Sequence, residues 1–548
     1  MAYRTISQMP NTSVATLTGT RFAHSREASG KARRLLKGPP MRQIYERPLL
    51  PAPATPRLPV THRVVRAAVF ACVASIAGAA VAQPSLMPPG WDANMTLPET
   101  VDTNPDPKIV EIAIEAKLAV VEVSPGKTVE AWTYNGSIPG PTIRVNVGDR
   151  LIVHFTNSLP MSTTIHWHGL RVPIQMDGVP GYSQSDVPTD GTFTYDYVVP
   201  DAGLYWYHPH VQSAMQVGYG LYGAILVEDP DEVVSGMDEV VIVLSDIGID
   251  EDGTLEDPNS GGTTGMAFGR EGNVILVNGR ADRTLTARAG VPQRWRIANM
   301  AKSRYFSLDL DGQTFTVIGG DGGLQEYATE TTNLVVGAGE RADVIVVPTG
   351  APGSELTFRS YVFNRGFGSV EYRPAEELLF TLTFTDEPAF DAPPLPEVKR
   401  TIQPTSVAGA PEIDMRLTIT QDSKGAFIYG INDIPFSEAE PFLSGQGDTQ
   451  IWALINESPW SHPWHLHGYF FQVLDDDGLP ARPIVWKDTV DVPFMETVKV
   501  VVRFEKGRPG KWLMHCHILD HAQGGLMGTI QVGTPPPDHP TTTEHMQH

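Results

Sequence analysis

The stretch HCHILDH, residues 515–521, places Cys516 between two histidines, and a third histidine follows four residues later. The sequence contains two cysteines, and the other, Cys72, lies in an N-terminal segment that we expect to be removed. A lone cysteine cannot form an internal disulfide, but its thiolate can bind a metal. Thiolate combined with imidazole suits copper. The stretch therefore predicts a copper site.

Three further histidine clusters lie upstream, HWHG at 166–169, HPH at 208–210 and HPWHLHG at 462–468. Ordinary surface or core histidines would be scattered instead of clustered. The ten histidines that we interpret as metal ligands are His166, His168, His208, His210, His462, His465, His467, His515, His517 and His521.

The spacing inside these clusters favours β-strands that serve metal sites. Residues i and i+2 of a strand point to the same face, so a pair such as His515 and His517 presents two imidazoles to one site. Cys516 then points to the opposite face. One short strand is therefore expected to contact two metal centres.

The composition indicates a large, acidic, globular chain. Its 548 residues are 41% hydrophobic, which is enough to bury several cores, and its 51 glycines and 47 prolines favour short strands joined by turns. A net charge of −22 disfavours binding to nucleic acid or to anionic membranes.

The N-terminal region has the features of an export signal. Residues 67–82 read AAVFACVASIAGAAVA and follow Arg63 and Arg66, which together match a signal peptide cleaved before Gln83. A membrane anchor is the alternative, but sixteen small apolar residues are short for a bilayer. We therefore expect residues 1–82 to be an extension plus signal peptide, and the mature protein to be periplasmic or secreted without stable membrane insertion.

The rest of the chain predicts an all-β protein. TIRVNV at 142–147 and LIVHF at 151–155 alternate in the manner of strands. Pro230-Asp231 and the proline-rich segment at 386–396 have the composition of linkers. These signals predict β-domains at residues 100–232, 237–388 and 400–533, and a disordered tail at 534–548. The histidine clusters fall in the first and third domains, so the middle one is expected to be a spacer or wall.

The four clusters, in this order, resemble those of the three-domain multicopper oxidases, which include laccases, bilirubin oxidases, cuprous oxidases and ascorbate oxidase. NGSIPGP at 135–141, GERADV at 339–344 and WKDTV at 486–490 resemble the same family. The resemblance spans about residues 105–533. It implies three cupredoxin-like Greek-key β-sandwich domains.

The resemblance also implies four copper ions. It assigns type 1 copper to His462, Cys516 and His521, and type 2 copper to His166 and His465. It assigns the type 3 pair to His168, His208, His210, His467, His515 and His517. The type 2 and type 3 ions would form one cluster between the first and third domains. The implied reaction takes single electrons from a small-molecule or metal-ion donor and reduces O2 to water.

Asp177 and Cys516 are the predicted catalytic residues. Asp177 matches a family carboxylate that assists proton delivery, although Asp177-Gly178 is also a turn dipeptide, and both interpretations stay open. The resemblance assigns the axial position of type 1 copper, where many relatives have methionine, to Leu526, which implies a three-coordinate ion of raised potential. Strand alternation should turn the adjacent Met527 to the other face, but an alignment shift of one residue would exchange the two. Ala522 replaces a glutamate of the cuprous oxidases, and we expect nearby Asp520 to be a solvated surface carboxylate.

A laccase-like oxidase of phenols, aromatic amines or metal ions is the function that these features favour. A cuprous oxidase for copper tolerance is an alternative, but the mature chain lacks a methionine-rich insert. A copper-free periplasmic scaffold of the same fold would have lost ligands, and here all ten histidines and the cysteine are present. A copper nitrite reductase would resemble a shorter, two-domain chain. A three-domain chain needs no partner to complete the cluster, so we expect a monomer.

Overall fold

The computed structural model describes residues 85–534, except residues 371, 372, 399, 424 and 426. The predicted signal peptide and all but the first residue of the predicted tail lie outside the described residues. The prediction of an all-β protein is confirmed, because 46% of the structure is strand and only 6% is helical. Among the described residues, no helix has the length and apolar character needed to cross a membrane.

The first domain pairs two sheets whose strand orders are β2-β1-β4-β6 and β3-β8-β7-β5. Its strands are β1 (Ile109–Ser124), β2 (Lys127–Tyr134), β3 (Gly140–Asn146), β4 (Arg150–Asn157), β5 (His166–His168), β6 (Thr192–Val198), β7 (Gly203–His208) and β8 (Gly223–Glu228). Helix α1 (Ser213–Gly218) and short 3-10 turns at Ala93–Met95 and Ile174–Met176 complete this part of the chain.

The second domain has strands β9 (Glu239–Ile247), β10 (Val274–Val277), β11 (Arg283–Ala287), β12 (Gln293–Asn299), β13 (Phe306–Leu310), β14 (Phe315–Gly320), β15 (Gly323–Thr331), β16 (Leu334–Val336), β17 (Arg341–Val346), β18 (Glu355–Tyr361) and β19 (Glu376–Phe384). The sheets have the orders β10-β9-β12-β17-β14-β15 and β11-β19-β18-β13-β16. Helix α2 (Gly262–Phe268) lies in the connection between β9 and β10.

The third domain has strands β20 (Glu412–Gln421), β21 (Phe427–Ile431), β22 (Ile434–Pro435), β23 (Phe442–Ser444), β24 (Thr449–Asn456), β25 (His462–Leu466), β26 (Phe471–Val473), β27 (Thr489–Val492), β28 (Thr497–Arg503), β29 (Gly510–Cys516) and β30 (Met527–Val532). The sheets have the orders β22-β21-β20-β24-β28-β26 and β23-β30-β29-β25-β27. A 3-10 turn at Phe436–Glu438 and helix α3 (Leu519–Gln523) interrupt the strands.

The three domains share one topology. β1 pairs antiparallel with β2 and parallel with β4, and β9 and β20 each pair in the same way with the corresponding strands of their domains. In the facing sheets, β3 and β8, β11 and β19, and β23 and β30 form parallel pairs. Parallel neighbours that are distant in sequence require connections that cross between the two sheets, which is the mark of a Greek-key sandwich.

Alternating side chains build these sandwiches. In β4, Leu151, Val153 and Phe155 point into the first-domain core, while the residues between them are less buried. An additional apolar cluster joins the domains, since Trp206 of the first domain packs with Val243 of the second and with Leu519 of the third. This shared core fixes the domains against each other, and so fixes the side chains that lie between them.

Candidate metal centres

The strand register gathers the predicted ligands at one end of the first and third domains. His166 of β5 lies opposite His208 of β7, and His465 of β25 lies opposite His515 of β29. The same β25–β29 pairing sets Trp464 opposite Cys516, on the other face of the strand. The expected division of residues 515–517 between two sites follows directly from this pleat.

The first centre consists of His462, Cys516 and His521, all of which are fully buried. The Sγ atom of Cys516 lies 3.4 Å from Nδ1 of His462 and 3.7 Å from Nδ1 of His521, and the two nitrogens are 3.2 Å apart. The three donor atoms thus converge on one point. Two imidazole nitrogens and one sulfur are the donor set of an electron-transfer copper site.

The hydrogen bonds around this centre turn both Nδ1 atoms toward the sulfur. Ser458 donates its hydroxyl to the carbonyl of Trp460 (3.0 Å), so its oxygen accepts from Nε2 of His462 (2.7 Å). His521 donates from Nε2 to the carbonyl of Ala267 (3.0 Å) in the second domain. Each ring therefore holds its proton on Nε2 and leaves Nδ1 free to bind a metal.

Burial keeps the imidazoles neutral and the thiol protonated until a metal arrives. Burial lowers the pKa of His521 to about 3 and that of His462 well below its usual range. Burial raises the pKa of the Cys516 thiol. A metal cation that binds here must therefore displace the thiol proton, which is ordinary for thiolate sites.

Leu526 lies beside Cys516, as expected from the sequence. The backbone N–H of Cys516 donates to the Leu526 carbonyl (3.1 Å), and both side chains belong to the third-domain core. Met527 packs in a separate cluster with Val179 and Leu513. The axial role of Leu526 stays a prediction. Met527 packs in a different cluster from Cys516 and Leu526.

The expectation of a solvated Asp520 is wrong. Its side chain is only 1% exposed and forms an ion pair with Arg270 of the second domain, whose backbone N–H also donates to it (2.6 Å). The guanidinium neutralises the carboxylate and makes its burial possible. That partner lies 250 residues away, so the local sequence carried no sign of it.

The second centre is a buried cluster of eight histidines at the junction of the first and third domains. The rings of His166 and His467 stack with centroids 3.9 Å apart, and those of His168 and His465 are 3.8 Å apart. Nε2 of His467 lies 3.2 Å from Nε2 of His515. Within the described residues, Nε2 has no hydrogen-bond partner in His166, His168, His208, His210, His465 and His517.

Backbone carbonyls hold several of these rings by the opposite nitrogen. The Nδ1 donors and their carbonyl acceptors are His166 with Asp177 (2.7 Å), His208 with Pro209 (3.0 Å), His465 with Asp488 (3.0 Å) and His515 with Cys516 (2.9 Å). Such bonds leave Nε2 unprotonated and aimed inward. Burial also lowers the pKa of His208 and His210 well below the usual range, so the rings are neutral ligands. This donor set fits copper.

The eight histidines do not divide cleanly into the predicted type 2 and type 3 sets. The ligand atoms that lie closest together form the groups His166–His210–His467, His465–His467–His515 and His168–His465–Asp488. Each group mixes residues of the two predicted sets or adds a carboxylate. The assignment of type 2 copper to His166 and His465 therefore stays a prediction.

The structure shows the turn at Asp177, and its role in proton delivery stays a prediction. It ends the 3-10 turn at Ile174–Met176, and Gly178 follows with φ of +80°, where an added Cβ would lie 1.9 Å from the Ile165 carbonyl. Its buried Oδ2 also accepts from Nδ1 of His467 (2.9 Å), and its Oδ1 has no hydrogen-bond partner within the described chain. Asp177 thus completes a tight turn and places a carboxylate against the cluster.

The middle domain, which we expected to be a spacer or wall, also makes contacts that the sequence did not reveal. Arg341, 4% exposed, donates to the Leu204 carbonyl of the first domain (3.0 Å) and to the Asp321 carbonyl of its own domain (2.9 Å). It also forms a two-pronged ion pair with Asp488 of the third domain (2.8 and 2.5 Å). Arg341 belongs to the stretch GERADV, which resembles the family, but the sequence did not indicate which residues Arg341 contacts.

Asp488 and Gly339 both contribute to the surroundings of the histidine cluster. Asp488 is buried, and Arg341 holds the pKa of its carboxyl well below the usual range although burial alone would raise it. Gly339 has φ of +85°, and a Cβ there would lie 2.8 Å from the ring of His517. Both residues therefore belong to the wall of the histidine cluster.

Comparison with known proteins agrees with this architecture. Three family models, each described as multicopper oxidase, match residues 116–232, 238–364 and 409–536. Multicopper oxidase MmcO of Mycobacterium tuberculosis is 33% identical over 73% of this chain and 83% of its own length. A laccase of Bacillus subtilis is 26% identical over 74% of this chain and 90% of its own length.

Solved structures of the same kind superpose on the chain. A multicopper oxidase from Campylobacter jejuni, described as a metallo-oxidase, has a TM-score of 0.71 and 28% identity, covering 80% of this chain and 94% of its own. A multi-copper oxidase from Pseudomonas thermotolerans has a TM-score of 0.66 and 32% identity, covering 78% and 99%.

Three sandwich domains that enclose a sulfur-containing centre and an eight-histidine cluster define an oxidoreductase with copper as cofactor and O2 as electron acceptor. The chain belongs to the multicopper oxidase family. Family membership implies four copper ions, of types 1, 2 and 3.

Proposed function

We propose that this protein is a laccase-like oxidase that takes single electrons from phenols, aromatic amines or metal ions at the His462–Cys516–His521 centre. Copper, when bound, supplies one-electron redox chemistry, and four electrons with four protons convert one O2 into two waters at the histidine cluster. The observation that carries the proposal is the position of Cys516 between His515 and His517. These three consecutive residues join the two centres by a short covalent path.

Asp177 is proposed to hold and deliver protons at the cluster. Its Oδ2 accepts the Nδ1 proton of His467, whereas its buried Oδ1 makes no hydrogen bond in the described part of the chain. A carboxyl group with one free oxygen inside a histidine cluster can receive a proton and pass it on. An amide in its place could keep the contact with His467 but could not carry a proton.

Asp177→Asn is expected to slow O2 reduction about a hundredfold or more, since proton transfer by a positioned side chain contributes about 10²- to 10⁴-fold. Reduction of the Cys516 centre by a donor under anaerobic conditions should keep its wild-type rate. Stopped-flow absorption measures both half-reactions separately. Equal slowing of the two would show that Asp177 serves only as a turn residue.

Leu526→Met is expected to lower the reduction potential of the Cys516 centre. A thioether beside the copper adds a weak axial ligand, and the axial ligand tunes the potential of such sites. Redox titration of the blue absorption measures the change. Met527→Leu is the matched control and should leave the potential unchanged, and an unchanged potential in Leu526→Met as well would remove Leu526 from the axial position.

A function restricted to the oxidation of metal ions is the second candidate, and the cover over His521 favours it. His521 is fully buried, and its Nε2 donates to the Ala267 carbonyl of the second domain. Protein atoms therefore separate a bulky aromatic donor from the imidazole of His521. The Campylobacter jejuni structure is described as a metallo-oxidase, which is consistent with this alternative for a similar protein.

A donor screen of the copper-loaded protein tests the proposal. We expect O2 consumption with 2,6-dimethoxyphenol and with ferrocyanide, and four donor electrons consumed per O2. Oxidation of Cu(I) or Mn(II) with no turnover of any phenol would replace the laccase-like function by metal-ion oxidation. A fully loaded protein that is inactive with every donor would contradict both oxidase functions.

We propose that the mature protein is exported to the periplasm or secreted. The support is the apolar run at residues 67–82, preceded by two arginines and ending in an Ala-Val-Ala pattern. Fractionation of cells that express the full chain, followed by N-terminal sequencing, is expected to give an exported protein that begins at Gln83. An uncleaved chain retained in the cytoplasm would contradict this localisation.

A further inference from the structure

A small cleft in the second domain lies close to the Cys516 centre and is lined by arginines. Its volume is about 20 Å³, and Arg304, Arg365 and Arg373 contribute to its wall. The oxidase reaction as described uses none of these residues. The loop that carries Arg365 contacts the third domain, because the backbone N–H of Ser461 donates to the Arg365 carbonyl (2.8 Å) immediately before His462.

Arg365 is a buried cation whose hydrogen-bonding capacity is only partly used. Its side chain is 1% exposed, and Nη2 donates to Oε1 of Glu271 (3.1 Å) and to the Gly269 carbonyl (3.3 Å). Its Nε and Nη1 atoms have no hydrogen-bond partner among the residues that the structure describes. Buried polar groups of this kind are normally satisfied by an ordered water or an ion.

One carboxylate serves all three guanidinium groups of the cleft. Glu271, itself buried, lies 3.1 Å from Arg365 and 3.3 Å from Arg304, and it also pairs with Arg373. Arg304 has a second buried partner in Asp246 (2.8 Å). Arg365 and Arg373 thus share Glu271 as a carboxylate partner, whereas Arg304 has a further one of its own.

The remaining acidic and phenolic groups around the cleft do not satisfy Arg365. Glu377 is one-third exposed, and it pairs with Arg304 at 3.6 Å. Tyr305 lines the cleft, but it donates its hydroxyl to Asp491 (2.7 Å). Within the described residues, the donors that these groups leave without a hydrogen-bond partner are thus Nε and Nη1 of Arg365.

The size of the cleft restricts what fills it. A site needs about 10–15 Å³ to admit a single water, so a cleft of about 20 Å³ has room for one water or one monatomic ion. We propose that this cleft binds a chloride ion, with Nε and Nη1 of Arg365 as its main donors and Arg373 at its entrance. The bound anion balances a buried cation and ties the Arg365 loop to the segment that leads to His462.

Bromide anomalous scattering tests the site directly on the full-length protein. Crystals soaked in sodium bromide are expected to show an anomalous peak within hydrogen-bonding distance of Nη1 or Nε of Arg365. The result does not depend on copper or on turnover. Water alone at this position, or bromide only at other places on the surface, would overturn the proposal.

A thermal-stability series tests the site in solution. An anion that binds only the folded protein raises the melting temperature with concentration. We expect sodium chloride to raise it along a saturating curve, whereas sodium sulfate, which stabilises by exclusion from the protein surface, should raise it without saturation. The chloride concentration that gives half of the chloride-specific stabilisation should be at least tenfold higher in Arg373→Gln. Arg373 is partly exposed, so this variant is expected to fold even if Arg365→Gln does not.

Arg359→Gln is the matched control, because it removes a guanidinium from the same domain that pairs with Asp311 outside the cleft. The chloride-specific stabilisation should be unchanged in this variant. A chloride response in the wild type that rises without saturation would overturn the proposal. So would an unaltered chloride response in Arg373→Gln, or its equal loss in Arg359→Gln.

Discussion

Cys516→Ser is expected to abolish the blue absorption and to reduce turnover with every donor by more than about a hundredfold. Loss of residues that merely orient metal ligands costs about 10- to 100-fold in affinity or activity, and Cys516 is itself a predicted ligand. A serine hydroxyl does not replace a thiolate in binding copper or in carrying electrons to the adjacent histidines. Absorption spectroscopy and oxygen uptake measure the two effects.

The copper content of this variant separates the two centres. The eight histidines of the cluster are unchanged in Cys516→Ser, so copper per chain should fall by about one ion of the family's four. Cys72→Ser removes the other cysteine of the sequence and should leave colour, copper content and activity at wild-type levels. Persistence of the blue band in Cys516→Ser would remove this residue from the centre.

Arg341→Met is expected to destabilise the protein by about 3–5 kcal/mol and to lower the copper content of the histidine cluster. Removing one partner of a buried ion pair leaves the other as an uncompensated charge, and here that charge is Asp488. The Asp488 carbonyl also holds Nδ1 of His465, so a displaced Asp488 disorients a predicted ligand. Chemical denaturation and copper analysis of the purified variant measure these effects.

Arg294→Met is the matched control for this prediction. Arg294 forms a buried ion pair with Asp343 (2.5 Å) in the same domain and a second one with Glu232 (3.0 Å). Neither of these carboxylates is a predicted metal ligand. The variant should lose a comparable free energy of unfolding but keep its copper once folded. Equal copper loss in the two variants would mean that Arg341 acts only through general stability.

The fold and the ligand clusters were predictable because both depend on short-range sequence patterns. Alternation such as that at Leu151, Val153 and Phe155 marks a half-buried strand without knowledge of its neighbours. Pairs such as His515 and His517 point to one face because of the pleat itself. Their spacing, together with the order of the four clusters, was therefore sufficient to indicate the metal centres.

The surroundings of the centres were not predictable in the same way, because they depend on contacts between distant segments. Asp520 gave no local sign that Arg270 would neutralise it, and the solvated carboxylate that we expected is buried. The Ala267 carbonyl carries no residue-specific signal at all, yet it engages His521. Arg341 lies in the domain without histidine clusters and contacts all three domains.

The most direct measurement is the absorption and electron paramagnetic resonance spectrum of the purified, copper-loaded mature protein, with copper quantified per chain. The account predicts an intense blue band, type 1 and type 2 resonances, and close to the four ions per chain that the family implies. A colourless protein that stays poor in copper after reconstitution would contradict it, and would show that intact ligands alone do not make this chain an oxidase.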